Sequence, residues 1–224
     1  MLVLAFDTAT PAVTAALHDG ARVLAESTTI DARRHGELLV PTIETVLRES
    51  GATLRDVTTI VAGSGPGPYT GLRVGLMTAQ ALSTALGVPA YGICTLDAVA
   101  YGSGLTSPFV AAIDARRKEV FWARYSDHRT RLDGPHVDRP AELLAGASGD
   151  MTDGLPMVGA GAVMYADIFG TDRVHDTPLY PLGGFMAALA AERLSAGLEL
   201  DKPLPIYLRR PDAVEPKAPK KVTA

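Results

Sequence analysis

Apolar and polar positions along this chain alternate between two grammars: short, nearly continuous apolar runs, and longer runs with helical spacing. Leu2 to Phe6 is an apolar run ending at Asp7, and it predicts a buried strand. Pro11 to Leu17 and Arg22 to Thr28 predict two more, joined by His18-Asp19-Gly20, whose Asp-Gly step is a hairpin signal. Three such strands in succession predict an antiparallel meander. From Arg34 to Glu49 the apolar positions switch to helical spacing at Leu38, Leu39, Ile43, Val46 and Leu47. Pro41 is expected to kink this helix, and Gly51 stands where a C-terminal cap belongs. A strand at 58–62, a glycine-rich loop and a helix reaching Leu86 follow, with Gly87-Val88-Pro89 as the stop. Val88 to Ile93 predicts a further strand, and Leu96 to about Tyr101 a further helix.

The segment Tyr101 to Pro108 is a turn-rich hinge, and beyond it the pattern restarts. Phe109 to Ile113 ends at Asp114, as the first strand ends at Asp7, and Glu119 to Tyr125 supplies a partner strand. A helix at Ala141 to Leu144, a strand at 156–158, the turn Gly159-Ala160-Gly161, a helix at Val163 to Phe169 and a last helix from Gly184 to Ala196 complete the series. The repeated strand-then-Asp opening predicts two related halves, 1–104 and 105–210. Residues 211–224 are rich in Pro and Lys and are expected to be disordered.

Composition narrows the class. The chain has 224 residues, long enough to bury a core, and its 47% hydrophobic and 21% charged residues are those of an ordinary globular protein. A formal net charge of −4 argues against autonomous nucleic-acid binding through a basic surface. The single Cys94 excludes an internal disulfide and fits a reducing compartment, where it is expected to be a small buried side chain near a strand end. No apolar stretch approaches the ~20 residues of a membrane span. The first apolar run carries Asp7 and lacks a basic leader, so a cytoplasmic protein is expected.

The loop from Gly63 to Gly75 holds five glycines and two prolines between a strand and a helix. Glycines let a ligand or a second backbone approach closely, and a helix start aims free N–H groups at what lies in front of it. Yet no Lys-Ser/Thr pair makes it a P-loop, and Gly65-x-Gly67 is followed by Thr70 where a dinucleotide motif needs Gly or Ala. Ser64 lies outside a Gly-x-Ser-x-Gly elbow, so Ser64 and Thr70 are read as turn or capping residues. Asp7-Thr8-Ala9-Thr10 at a strand's carboxyl end supports two readings equally, a phosphate or metal-water site and an Asx turn into the hairpin. Asp114-Ala115-Arg116-Arg117 supplies either the matching acid of a second half or a polar turn, and the turn is the favoured reading. His35 has Leu39 at i+4 and no histidine pair has ligand spacing, so no metal site is expected. Arg73, early in a helix where the dipole disfavours a cation, is expected to have a partner outside its helix.

The run Gly65-Pro66-Gly67-Pro68-Tyr69-Thr70-Gly71-Leu72-Arg73-Val74-Gly75 resembles the glycine-loop signature of the TsaB (YeaZ) family. Four further stretches agree in order: Ala5 to Thr10, His35 to Pro41, Ile113 to Val120 and Pro205 to Arg209. The resemblance implies an α/β, actin-like (ASKHA) fold of two related ribonuclease-H-like subdomains, each a mixed sheet flanked by helices. It also implies a non-catalytic part in making threonylcarbamoyladenosine beside the anticodon of tRNA. In that family TsaB pairs with its catalytic, metal-holding paralogue TsaD and with the ATPase TsaE, and forms homodimers when alone. TsaD-type enzymes hold metal through a paired-histidine motif, of which only His35 remains here, with Leu39 in the second place.

Family members assemble through helices of the first subdomain, which nominates His35, Leu38, Leu39, Ile43, Leu47, Arg73 and Leu76 as a partner face. Asp7, Thr8, Thr10, Gly65, Gly67, Gly159 and Gly161 are nominated as a vestigial nucleotide pocket. No cofactor is expected to be held stably by this chain, with ATP or ADP placed, if anywhere, at the interface of the complex, and tRNA is expected to be reached through that complex. Two departures stand out, Gly36 for the usual Ser and Pro68-Tyr69 for the usual Ser-Phe; Pro68 should stiffen the loop. An ATP-dependent phosphotransferase of the same fold class is the alternative, from Asp7, the glycine loop and Gly159-Ala160-Gly161. A metallopeptidase is a third reading, and the missing ligand pairs speak against it.

Overall fold

The computed structural model describes residues 1–145, 152 and 154–209; the tail 211–224 lies outside them. Strands β1 (Val3–Asp7), β2 (Ala12–His18) and β3 (Val23–Ile30) form the expected meander. Helix α1 (His35–Ser50) leads to β4 (Thr59–Gly63), α2 (Tyr69–Leu86) and β5 (Ala90–Ile93). Because β1 pairs parallel with β4, and β4 with β5, the sheet is mixed, in the order β3-β2-β1-β4-β5. Helix α3 (Thr95–Ser103) precedes the second sheet, made of β6 (Phe109–Asp114), β7 (Val120–Asp127), β8 (Thr130–Asp138) and β9 (Met157–Val158) in the order β8-β7-β6-β9. Its first two pairings are antiparallel and β6–β9 is parallel, repeating the arrangement of the first sheet. The two halves are therefore related, and the fold is the actin-like one.

Alternation along the central strands explains why they read as unbroken apolar runs. Leu4 and Phe6 of β1 and Ile60 and Ala62 of β4 enter one core with Leu39, Ile43, Leu72 and Leu76 of α1 and α2. Val3, Ala5 and Val61, on the opposite face, pack with Met186, Leu189 and Ala190 of the last helix, α7 (Gly183–Ser195). A strand covered on both faces has no polar side to show. In the second sheet Phe109, Ala111 and Ile113 meet Leu96 and Val99 of α3, while Val110 and Ala112 meet Leu143 of α4 (Pro140–Ala145), Ala162 of α5 (Ala160–Met164) and Phe169 of α6 (Ala166–Phe169). Helix α3 serves both sheets, since its Ala98 belongs to the core containing Val61.

Four departures from the sequence reading have physical causes. Pro41 sits inside one continuous 16-residue helix. Strand β8 goes unpredicted because Thr-Arg-Leu-Asp-Gly-Pro-His-Val-Asp shows no alternation; it is a half-exposed edge with shifts in register. The single helix expected at 163–169 is two short ones, parted at Tyr165. The last helix follows the second sheet in the chain but lies on the first, where the Gly183 N–H donates to Thr14 Oγ1 (2.8 Å) and the Gly184 N–H to Glu26 Oε1 (2.9 Å).

The chain then straps the halves together. Asp201 O accepts from Gly92 N–H (2.8 Å), Ile206 N–H donates to Ser64 O (2.8 Å), and Arg209 Nη1 donates to Ala115 O (2.7 Å).

Candidate functional site

Strand β1 ends by delivering Asp7 into the interior, fully buried, with one carboxylate oxygen accepting Ala9 N–H (2.6 Å) and the other the Thr95 hydroxyl (2.7 Å). Thr95 Oγ1 in turn accepts Gly65 N–H (3.1 Å). Thr8 Oγ1 donates to Gly71 O (2.7 Å) and accepts Gly75 N–H (3.0 Å), and His35 Nε2 donates to Thr10 O (2.8 Å). Residues 7–10 are thus bound to the glycine loop and to α1 and α2. The Asx turn and the loop contact coexist, and both are internal.

The glycines show what fills the loop. A Cβ on Gly67 would lie 2.2 Å from Ala9 O, on Gly71 2.5 Å from Thr8 O, and on Gly75 2.7 Å from Thr8 Oγ1. These positions accept no side chain because the end of β1 occupies the space. The second half repeats the device: a Cβ on Gly159 would lie 2.3 Å from Ala112 O and on Gly161 2.7 Å from Ile113 C. Each glycine turn brings its helix against the first strand of its own sheet. Gly159 and Gly161 accordingly pack on β6, whereas Asp7, Thr8, Thr10, Gly65 and Gly67 gather at β1.

Burial pushes the Asp7 carboxyl up from 3.8 to about 6, against the opposing pull of the Thr95 and Ala9 hydrogen bonds. Cys94 is buried after β5, and its thiol is pushed up to about 12, chiefly by burial, so it is no nucleophile at neutral pH. Among the described residues no group of three His, Cys, Asp or Glu could hold a metal ion. Ser64 and Thr70 do not cap α2; Pro68 stands at that position without a side-chain cap.

Between the halves lies a cleft of about 280 Å³, lined by Thr10, Arg33, His35, Gly71, Asp114 and Arg116 among others. Asp114 Oδ1 accepts Arg116 N–H (2.8 Å) in the expected polar turn, where Arg116, Arg117 and Lys118 all hold positive φ near 60°.

The nominated partner face needs correction. Leu39, Ile43, Leu47 and Leu76 are all under a tenth exposed and belong to the core, because the apolar stripe of each helix faces the sheet. His35 and Leu38 are half-buried and Arg73 is exposed. The outward stripes carry Glu37, Val40 and Glu44 on α1 and Tyr69, Arg73 and Met77 on α2. Arg73 finds its partner on its own helix, donating to Tyr69 Oη (2.7 Å) with its guanidinium over the ring, and Tyr69 stacks on Tyr207. Sequence reasoning missed Thr95, whose only local signal was a hydroxyl at a helix start; its partner Asp7 lies 88 positions away.

The family described as TsaD: tRNA N6-adenosine threonylcarbamoyltransferase matches residues 22–166 of the chain. An uncharacterized protein of Mycobacterium tuberculosis is 42% identical over 217 residues, covering 94% of this chain and 93% of that protein. The tRNA threonylcarbamoyladenosine biosynthesis protein TsaB of Escherichia coli is 39% identical over 129 residues, 56% of this chain and 55% of that one. The solved structure of YeaZ from Pseudomonas aeruginosa superposes with a TM-score of 0.76 at 28% identity, covering 92% of this chain and 99% of that one. The paired mixed sheets and these similarities place the chain in the TsaB (YeaZ) family, within the wider TsaD-like group.

Proposed function

We propose that this chain serves tRNA threonylcarbamoyladenosine biosynthesis as a scaffold and activator subunit, pairing with the catalytic paralogue TsaD and working with the ATPase TsaE. One observation carries the reading: the glycine loop is filled by residues 7–9 of the chain itself, with Ala9 O where a Cβ of Gly67 would fall. A loop occupied in this way positions a helix against the end of β1. His35, the remnant of a metal-binding pair in the wider family, spends its Nε2 on Thr10 O, and Leu39 beside it faces the core. The surface that α1 and α2 turn outward, with Val40, Tyr69 and Met77 each 51% exposed, is the docking face for TsaD. A homodimer forms through the same face in the absence of TsaD. Transfer RNA is reached through the complex, in the cytoplasm.

Co-purification with TsaD, followed by reconstitution of tRNA modification, tests the reading. Loss of complex formation, or full modification by the other components alone, contradicts it.

A second reading, an ATP-dependent phosphotransferase, is favoured by the cleft between the halves, where Arg33 and Arg116 flank Asp114 and Thr10. Heat on titrating Mg-ATP into the isolated chain, with turnover abolished by Asp7→Ala, supports it; absence of nucleotide binding removes it.

A further inference from the structure

A second, larger cavity of about 660 Å³ opens beside the strap at 201–206, lined by Ser64, Asp97, Arg131, Arg193 and Lys202 among others. Asp97 of α3 is 5% exposed and accepts the Tyr125 hydroxyl at 2.8 Å. Arg131 of β8 faces one of its oxygens at 3.5 Å, and Arg193 of α7 faces the other at 3.5 Å. Both distances exceed the ~2.7–2.9 Å of a charge-assisted N–H···O bond, so neither guanidinium is saturated by the carboxylate. The two side chains are 29% and 28% exposed and both line the cavity, so their remaining N–H donors border it.

One further atom at the cavity, Ser64 Oγ, is short of a partner. Among the described residues Ser64 Oγ, and Arg131 Nη1 beyond its 3.5 Å approach to Asp97, are buried and make no hydrogen bond. Buried donors of this kind are costly unless something pairs with them. The charge balance points the same way: Arg131, Arg193 and Lys202 face Asp97 and Asp201, while Arg129 at the edge is already held by Glu192 through two bonds of 2.8 and 3.0 Å. One carboxylate shared by two guanidiniums leaves a net positive site.

We propose that this cavity binds a small oxyanion, a phosphate or a carboxylate group, between Arg131 and Arg193. The ligand's oxygens take the N–H donors that Asp97 leaves unused, and Lys202 adds long-range attraction. The site draws on α3, β8, α7 and the strap, so an occupant would tie both sheets to the C-terminal segment. It is independent of the docking face on α1 and α2.

Calorimetric titration of the full chain with inorganic phosphate, and separately with acetate, at constant ionic strength tests the assignment. Saturable binding of phosphate alone marks a phosphate site, and of acetate a carboxylate site. Removing one charged donor in Arg193→Gln should weaken that binding roughly tenfold, and Lys202→Ala should weaken it less. Asp97→Asn, which neutralises the competing carboxylate, should strengthen it. If Arg193→Gln fails to fold, the exposed Lys202→Ala and the buried but unbonded Ser64→Ala carry the comparison, each weakening the binding. No saturation with either anion, or binding unchanged in every variant that folds, means an adventitious ion only and overturns the proposal.

Discussion

Thr95 donates its hydroxyl hydrogen to Asp7 Oδ2 at 2.7 Å and receives the Gly65 N–H at 3.1 Å, so one side chain joins the end of β1, the glycine loop and the start of α3. All three groups are buried, and none has water to fall back on. Thr95→Val keeps the shape and removes both bonds, and is expected to cost about 2–4 kcal/mol, whereas Thr95→Ser retains them and costs about 1 kcal/mol. Urea denaturation of the two variants beside the parent distinguishes this linkage from simple packing, which would make Val the milder change.

The same buried carboxylate sets a pH dependence. The folded-state pKa of Asp7 is about 6 against an ordinary 3.8, so the folded chain binds more protons than the unfolded chain between those values. Its contribution is full below the lower value and is lost as pH rises through the upper one. A rise of roughly 2 units corresponds to about 3 kcal/mol. Asp7→Asn should remove this component, so that the stability difference between parent and variant changes in the variant's favour from pH 4 to about pH 7. Parallel stability curves would contradict the burial argument.

Gly67 in the loop and Gly36 at the start of α1 divide by what lies against them. Gly67→Ala puts a methyl 2.2 Å from Ala9 O and should destabilise by about 2–4 kcal/mol. Gly36→Ala meets only Val74 Cγ2 at an ordinary 3.9 Å, and its gain in helix propensity should stabilise by up to about 1 kcal/mol. Thermal melts of the two give opposite signs if the loop is filled from within, and similar small effects if it is open.

Much of this arrangement was legible in the sequence where a single element carries its own signal. The runs ending at Asp7 and Asp114 marked the central strands, and the helical spacing from Leu38 to Leu47 marked α1. What the sequence hid is long-range pairing. Nothing near Thr95 points to Asp7, and nothing near Arg131 points to Asp97 or Arg193. Strand β8 lacked alternation because its Gly134-Pro135 edge is only half covered. The helix spacing of Leu39, Ile43, Leu47 and Leu76 identified an apolar stripe correctly, but a stripe alone does not say whether it meets a sheet or a partner, and here it meets the sheet.

The docking face proposed on α1 and α2 predicts variants that separate folding from assembly. Val40→Glu and Met77→Glu change exposed side chains and should leave stability within about 0.5 kcal/mol of the parent. Burying the new charges against TsaD should weaken association roughly tenfold or more. Light scattering or analytical ultracentrifugation of mixtures reads this directly, with unchanged association contradicting the assigned face.

Reconstitution of threonylcarbamoyladenosine formation on tRNA, with TsaD and TsaE present and this chain added or withheld, tests the proposed scaffold function most directly. Modification that depends on the chain, persists in Asp7→Asn and falls in Val40→Glu is the predicted result. Full modification without the chain, or dependence on its Asp7 carboxylate with no dependence on the α1–α2 face, would contradict it.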